Sequence, residues 1–149
     1  MKSSPFSTDG AAITLHASCV SYQGNGVIIL GASGTGKSSL ALQLMAYGAE
    51  LVADDQTTVT VRNGLLSASS PSILKGLIEA RGVGLLRANH LPETEVGLVV
   101  DLDRLETKRL PELHRTNLAG IDVVCLHKAD CPHFPAAILH YLRSGRWKP

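Results

Sequence analysis

The nine residues GASGTGKSS, Gly31 to Ser39, constrain this chain more than any other stretch. Gly31, Gly36, Lys37 and Ser38 fill the four fixed positions of the pattern G-x-x-x-x-G-K-[ST], which requires a strand before it and a helix after it. Both flanks are present. Val27, Ile28, Ile29 and Leu30 form a short, β-branched apolar run of the kind that makes a buried strand. Leu40, Ala41, Leu44 and Met45 recur at a helical period, and Gly48 stands where that helix should stop. In such a turn the backbone N–H groups of Gly31, Ala32, Ser33, Gly34, Thr35 and Gly36 face an anion, and the helix N-terminus at Lys37 to Ser39 adds its positive end. Lys37 reaches the outer phosphates, and the Ser38 hydroxyl is left for Mg²⁺. A glycine-rich surface turn would need neither flank.

The rest of the chain supplies candidates to work with that loop. Met1 to Gly10 carries no periodicity and reads as a mobile lead-in to one domain over residues 11–149. From Ala12 to Val20, the residues Ile13, Leu15, Ala17 and Cys19 alternate with Thr14, His16 and Ser18, which predicts a half-buried strand with His16 on its outer face. Gly24, Asn25 and Gly26 turn this strand into the loop's own strand, a hairpin that would bring His16 near the phosphates. After the loop helix, Leu51 to Ala53 forms a buried strand that ends in two adjacent carboxylates, Asp54 and Asp55. An acid at the end of a neighbouring strand is where phosphate-loop proteins hold the metal or its water. Val59 and Val61 then lead to the hairpin signal Asn63-Gly64, and Leu65 and Leu66 begin the return.

Pro71 to Glu79 is expected to be helical, with Pro at its start and Ile73, Leu74, Leu77 and Ile78 on one side. It runs into EARGVGLL, Glu79 to Leu86, whose paired glycines suit either closely packed backbone or an ordinary helix stop at Arg81-Gly82. Val96 to Val100 is a further buried strand leading to Asp101 and Asp103, so Asp101 rivals the earlier pair as the metal-holding acid. Arg104 to Asn117, charged and carrying Pro111, reads as a surface connection. Ile121 to Leu126 is another strand, followed by HKAD, His127 to Asp130, and a last helix is expected over Pro135 to Arg143. Strands and helices alternate with added hairpins, so the fold class is α/β, a phosphate-loop nucleotide-binding domain with a mixed sheet.

Charge excludes several functions. With 14 basic and 13 acidic side chains the net charge is +1, so no broad field draws the chain to nucleic acid or to an anionic membrane. No apolar run approaches the ~20 residues of a membrane span, and no signal core opens the chain. Cys19, Cys125 and Cys131 are odd in number and make no C-x-x-C pair, which fits a reducing, cytoplasmic compartment. His127, Cys131 and His133 are metal-ligand types without a fourth ligand at finger-like spacing.

Taken in order, LHASC at Leu15 to Cys19, GASGTGKSS, LVADD at Leu51 to Asp55 and IEARGVGLL at Ile78 to Leu86 resemble the catalytic domain of the HPr kinase/phosphorylase family. The last of these looks like that family's E-x-R-G-x-G signature. The resemblance covers His16 to Leu86 and agrees in spacing as well as residue type. It implies a fold similar to that of the phosphoenolpyruvate carboxykinases and an ATP- and Mg²⁺-dependent kinase acting on a serine of HPr, a small phosphocarrier protein. Many members also reverse the modification by phosphorolysis. Carried over residue by residue, Gly31 to Ser38 would cradle the β- and γ-phosphates, with Lys37 neutralising them, and Ser38 and Glu79 would hold Mg²⁺. Asp55, in preference to Asp54, would take the serine proton. His16 would tune that acid, and Arg81 would touch a transferring phosphate or brace Glu79. Since the motif histidine already stands at position 16, the chain looks like a short, alphaproteobacterial-type form without the N-terminal domain. HKADCPHFPA stands where the family has a P-x-R-P-G-R-N type run, which bears on the phosphorolysis and on the homo-oligomer, a hexamer in the long forms.

Two other functions use the same loop. HKAD is one residue from N-K-x-D, so a GTP-binding switch is one alternative, although no D-x-x-G switch is present. The other is a catalytically silent nucleotide-binding regulator, against which the acids Asp54, Asp55 and Glu79 stand.

Overall fold

A computed structural model describes residues 12–71 and 75–146; the expected lead-in at residues 1–10 and the side chains of Ile73 and Leu74 lie outside them. Eleven strands and two helices follow one another as β1 (Ala12–Leu15), β2 (Ala17–Tyr22), β3 (Asn25–Leu30), α1 (Lys37–Ala46), β4 (Glu50–Ala53), β5 (Thr57–Arg62), β6 (Leu65–Ser69), β7 (Leu77–Ala80), β8 (Gly84–Arg87), β9 (Glu93–Leu105), β10 (His114–Leu118), β11 (Ile121–Lys128) and α2 (Phe134–Ser144). The main sheet runs β1-β5-β6-β9-β3-β2-β4, with β11 and then β10 added beside β9.

Strand β9 holds this arrangement together because it is 13 residues long and is paired at different points along its length. Its first residues, Glu93 to Glu95, pair antiparallel with β6. Val96 to Asp101 then run parallel to β3, and Val99 onward runs parallel to β11. The sheet is therefore mixed, as expected for the class, and it curls into two leaves that share β9.

Side-chain alternation along the strands produces two cores. In β3, Val27 and Ile29 face one side and Ile28 the other; all three are fully buried. Val27 and Ile29 join Val20, Leu98, Val100, Leu40, Leu44 and Ile138 beneath α1 and α2. Ile28 joins Cys19, Val52, Val59, Leu66, Val99 and Cys125 between the two leaves. Each Leu or Ile so buried contributes about 1.5–3 kcal/mol relative to exposure. The result is a rigid floor under the phosphate loop.

Several expected elements take a different form. The single strand over Ala12 to Val20 breaks at His16 into β1, which pairs with β5, and β2, which pairs with β3 and β4. β2 is covered on both faces, so Ser18 and Ser21 are buried although they are polar, while Ile13 on β1 is exposed. The helix expected up to Glu79 is absent among the described residues: Leu77–Ala80 is β7, hairpinned with β8. Gly76, at φ 75°, could not sit inside a helix without strain, and a side chain there would meet the His90 ring 2.4 Å away. The surface connection expected over Arg104 to Asn117 is shortened at both ends by β9 and β10.

The far end of β9 is tied to β10 and β11 by one polar cluster. Glu106 Oε1 lies 2.8 Å from His114 Nε2, and Glu106 Oε2 accepts the backbone N–H groups of Thr107 and Lys108 at 3.0 and 3.1 Å. The His114 ring stacks on His127 with centroids 3.8 Å apart. The His114 imidazole first, and then the backbone N–H groups of Lys108 and Thr107, hold the Glu106 carboxyl below its ordinary range. A depressed acid stabilises the fold above its unfolded pKa and stops doing so as pH falls through its folded pKa. Thermal melts of wild type and Glu106→Gln are therefore expected to differ at pH 7, and to converge only as pH falls below the ordinary carboxylate range.

Candidate active site

Between the end of β3 and the start of α1 the chain makes the turn that the motif demands. Gly36 caps α1 with φ 99° and makes no side-chain cap, and the helix has no acid in its first turn. Its leading N–H groups are thus unclaimed by protein carboxylates, which suits an incoming anion. Gly31 is required for a different reason: a Cβ there would lie 2.3 Å from Thr35 Oγ and 3.2 Å from Leu102 Cβ. The Thr35 hydroxyl closes the loop by donating to Ala32 O at 2.7 Å. Lys37 is buried, and its Nζ donates to Gly31 O at 2.8 Å and Ala32 O at 3.2 Å.

The two adjacent acids diverge. Asp54 turns inward: its Oδ1 accepts the hydroxyls of Ser38 at 2.7 Å and Ser18 at 2.8 Å, and its Oδ2 accepts the backbone N–H of Glu79 at 3.2 Å. Asp55 takes a left-handed conformation with φ 67°, and its side chain is 67% exposed. That conformation is held on both sides, since Asp55 N–H donates to Ser18 Oγ at 3.2 Å and Asp55 O accepts from Ala17 N–H at 3.0 Å. Non-glycine residues in this region are sparse and gather at functional sites.

His16 sits in the break between β1 and β2. Its Nε2 lies 3.3 Å from Lys37 Nζ and 3.2 Å from Ser33 Oγ, and its Nδ1 lies 3.5 Å from Asp55 Oδ1. A lysine ammonium only donates, so Nε2 is the acceptor and the imidazole proton sits on Nδ1, facing Asp55. The histidine thus bridges the loop lysine and the exposed acid.

An open cavity of about 460 Å³ lies over the loop, walled by residues 33–39 together with Asp55, Glu79 and Arg81. Gly31, Ala32, His16 and Asp54 do not line it and meet its wall through hydrogen bonds to Lys37, Ser33 and Ser38. Glu79 and Arg81 arrive on the β7–β8 hairpin, whose buried Ile78 packs beneath α1. The turn between those strands is neither of the two readings open from spacing: it is a three-residue hairpin loop closed by Val83 N–H on Ala80 O at 2.9 Å, with Gly82 at φ 84°. Arg81 makes no ion pair with Glu79 among the described residues. The Ser38 hydroxyl meets the Asp54 carboxylate at 2.7 Å and Glu79 lines the same cavity as Ser38, so the groups on this side offer oxygen, the donor a hard divalent cation takes.

Other candidates are directed elsewhere. Asp101 is ion-paired to Arg104 at 3.4 Å and accepts the Asp103 N–H, so it does not rival Asp54. His127 stacks on His114, whereas Cys131 Sγ lies 3.3 Å from His133 Nε2, so the three do not converge on one point. Two site residues escaped sequence reasoning. Ser18 read as one polar residue in an alternating strand, yet it is the second donor to Asp54. Asp103 Oδ1 accepts the Ala32 N–H at 3.0 Å and so fixes the loop's entry. Only the parallel register of Leu30 with Asp101 brings those two together, and spacing along the chain carries no trace of it.

A glycine loop on a helix N-terminus, with buried lysine, hydroxyl and acids converging on one cavity, defines a P-loop nucleotide-binding domain of the kinase-like α/β class. The chain belongs to the HPr serine kinase C-terminal domain family, whose model matches residues 10–123. An HPr kinase/phosphorylase from Clostridium kluyveri is 38% identical over 97 residues, covering 60% of this chain and 32% of that protein. One from Caldicellulosiruptor bescii is 41% identical over 95 residues, covering 63% and 30%. The chain thus spans about a third of the length of these curated relatives. Among solved structures, the Hpr(Ser) kinase/phosphatase from Coxiella burnetii superposes with a TM-score of 0.74 at 26% identity, covering 88% of this chain and 94% of that one.

Removing the anchor at Asp103 should loosen the loop without disturbing the core. Asp103→Ala is expected to weaken binding of inorganic tripolyphosphate about 3- to 10-fold, measured by calorimetry, for the loss of one charge-assisted hydrogen bond. The far-UV circular dichroism spectrum should be unchanged.

Proposed function

We propose that this chain is an ATP- and Mg²⁺-dependent protein kinase that phosphorylates a serine of an HPr-type phosphocarrier protein in the cytoplasm. The observation that carries this reading is the divergence of the two acids. Asp54 is committed to Ser38 on the metal side, and Asp55 is left exposed on the cavity wall with His16 behind it. That division supplies both a metal-side carboxylate and a base, and a phosphate cradle alone has neither.

Transfer from ATP joins the serine oxygen to the γ-phosphorus and breaks the bond from that phosphorus to the β–γ bridging oxygen, releasing ADP. Catalysis of such a step is mainly positioning and charge neutralisation. The loop N–H groups and Lys37 hold the phosphates, and Arg81, unpaired with Glu79, faces the transferring group. Mg²⁺, when bound by Ser38 and Glu79 with Asp54 beside them, would neutralise the phosphate charge. Asp55 Oδ1 orients the serine hydroxyl and takes its proton, and the Nδ1–H of His16 holds that carboxylate in place. The relatives' name also includes a phosphorylase. In that direction inorganic phosphate attacks the phosphoserine, pyrophosphate forms, and a protonated Asp55 returns the proton to the leaving serine.

The test is to incubate the protein with Mg-ATP and a purified HPr-type carrier and to map the product by mass spectrometry. One phosphoserine on the carrier is expected, and its absence while ATP is demonstrably bound would overturn the kinase reading. Asp55→Asn should lower the transfer rate about 10²- to 10⁴-fold, the usual contribution of a general base, with ATP affinity kept. Lys37→Ala should instead weaken ATP binding roughly 10-fold or more and reduce transfer as well. If Asp54→Asn alone abolishes transfer and Asp55→Asn does not, the two acids have exchanged roles.

A further inference from the structure

One cluster of ligand-type side chains lies apart from the phosphate cradle. Glu106 follows the end of β9, His114 opens β10 and His127 stands near the end of β11. The ligand atoms of all three lie within 4.8 Å of one another, and among the described residues no other three His, Cys, Asp or Glu side chains converge in this way. None of the three walls the cradle. His127 also lies beyond the matched residues 10–123, so the family match does not account for the set.

Strand pairing explains the convergence. His114 is the register partner of Cys125, and His127 stands two residues further along β11, so the two imidazoles are diagonal neighbours on one face of the sheet. Glu106 is brought to them by the main chain: its N–H donates to Lys128 O at 2.8 Å, next to His127. Spacing along the chain carries no trace of this, because Glu106 and His114 fall in a charged connection and His127 in a separate strand. Cys125 shares that face but packs in the core between the leaves, and its thiol is not part of the group.

Each of the three is placed to act as a ligand. The backbone N–H groups of Thr107 and Lys108 hold Glu106 Oε2, which fixes the carboxylate and leaves Oε1 turned to His114. Supporting contacts of this kind orient the carboxylate ligands of metal sites. His114 Nε2 and Glu106 Oε1 are 2.8 Å apart with one proton between them, and a cation bonded to both atoms takes that proton's place. The two rings stack with centroids 3.8 Å apart and planes 7° apart, too parallel for both lone pairs to meet one ion. Binding therefore splays them about Cβ–Cγ, a soft torsion in histidine. All three residues are half-buried, so an ion can enter from solvent and keep water as a further ligand.

We propose that Glu106, His114 and His127 form a binding site for a divalent transition-metal cation, with Zn²⁺ the ion that two imidazole nitrogens and one carboxylate oxygen suit. Imidazole donors select such ions over Mg²⁺, and two histidines with one glutamate are a set that Zn²⁺ takes with water in its fourth position. The bound ion joins the end of β9, the edge strand β10 and β11 at one point, and so staples the edge of the sheet.

Titration of EDTA-treated, dialysed protein with Zn²⁺ tests this, with excess Mg²⁺ present to occupy the oxygen donors around Ser38. Calorimetry is expected to give one Zn²⁺ per chain, and Zn²⁺ at about a hundred times its Kd should raise Tm by roughly 5–10 °C over the metal-free protein. His114→Ala and His127→Phe, the latter keeping a stacked ring, should each weaken Zn²⁺ binding about 100-fold or more. Glu106→Gln, which keeps the size of the side chain, should weaken it at least about tenfold. Each variant is compared with its own metal-free form, so a change in the stability of the fold itself does not enter; if His114→Ala fails to fold, the other two variants decide. Cys131→Ser and His133→Ala, which remove the neighbouring Cys–His pair, should leave the affinity unchanged. Co²⁺ used in place of Zn²⁺ should show d–d bands without a thiolate charge-transfer band, because the set contains no sulfur. Absence of Zn²⁺ binding, binding that ignores the substitutions at Glu106, His114 and His127, or a thiolate band would each overturn the site, and none of these outcomes bears on the kinase reading.

Discussion

The carboxylate of Asp54 is the node on which the site depends. It accepts from Ser18 on β2, Ser38 on α1 and the backbone of Glu79 on β7, so it joins three elements to the end of β4. A carboxylate in that position is costly unless every donor is supplied, and here each donor comes from a different element. The hairpin that carries Glu79 and Arg81 is held to the core by Ile78, with Leu86 packed beside it, while Val83 and Leu85 are exposed. One acid thus holds the Ser38 hydroxyl in place and brings the hairpin to the cavity.

That commitment explains why its neighbour is free. With both Asp54 oxygens engaged, chain continuity would ordinarily direct the next side chain back across the strand. The left-handed turn at Asp55 instead sends it to the cavity wall, and such a conformation costs an L-residue about 1–2 kcal/mol, less for Asp than for most. Ser18 meets both requirements, since its hydroxyl donates to Asp54 and accepts from Asp55 N–H. A single buried serine therefore couples the position of one acid to the conformation of the other.

The loop, its strand and its helix were legible in the sequence because the motif and its flanks are local: the spacing of Gly31, Gly36, Lys37 and Ser38 encodes the turn directly. The hairpin at Asn63-Gly64 was legible for the same reason. What spacing could not supply was anything fixed by pairing between distant strands. The break at His16 arises because β1 and β2 join different leaves, and Asp103 reaches Ala32 only through parallel pairing. The β7–β8 hairpin was misread as a helix since Leu77 and Ile78 beside Ile73 and Leu74 satisfy a helical period equally well. Gly76 was the discriminating residue, and a mid-helix glycine is a weak signal until its neighbour His90 is known. The acids Asp54 and Asp55 were found, but the preference for Asp55 came with the family resemblance and not from spacing, because their geometries differ by a backbone conformation and not by residue type.

The openness of the cradle also bears on the kind of acceptor it serves. Asp55 is two-thirds exposed and His16 about half, and nothing among the described residues covers them. A phosphotransferase for a small acceptor must exclude water by closing over its substrate, since water competes for the same phosphorus. A serine presented on a protein surface brings its own cover and can dry the cavity as it docks. Access is asymmetric as well, because the turn over 128–135 and α2 stand on one side of the loop, while the side bearing Asp55 and the β7–β8 hairpin faces solvent. Under the proposed kinase reading, an acceptor approaching in line with the γ-phosphate would meet Asp55 first, and an exposed base would suit a protein substrate better than a small one.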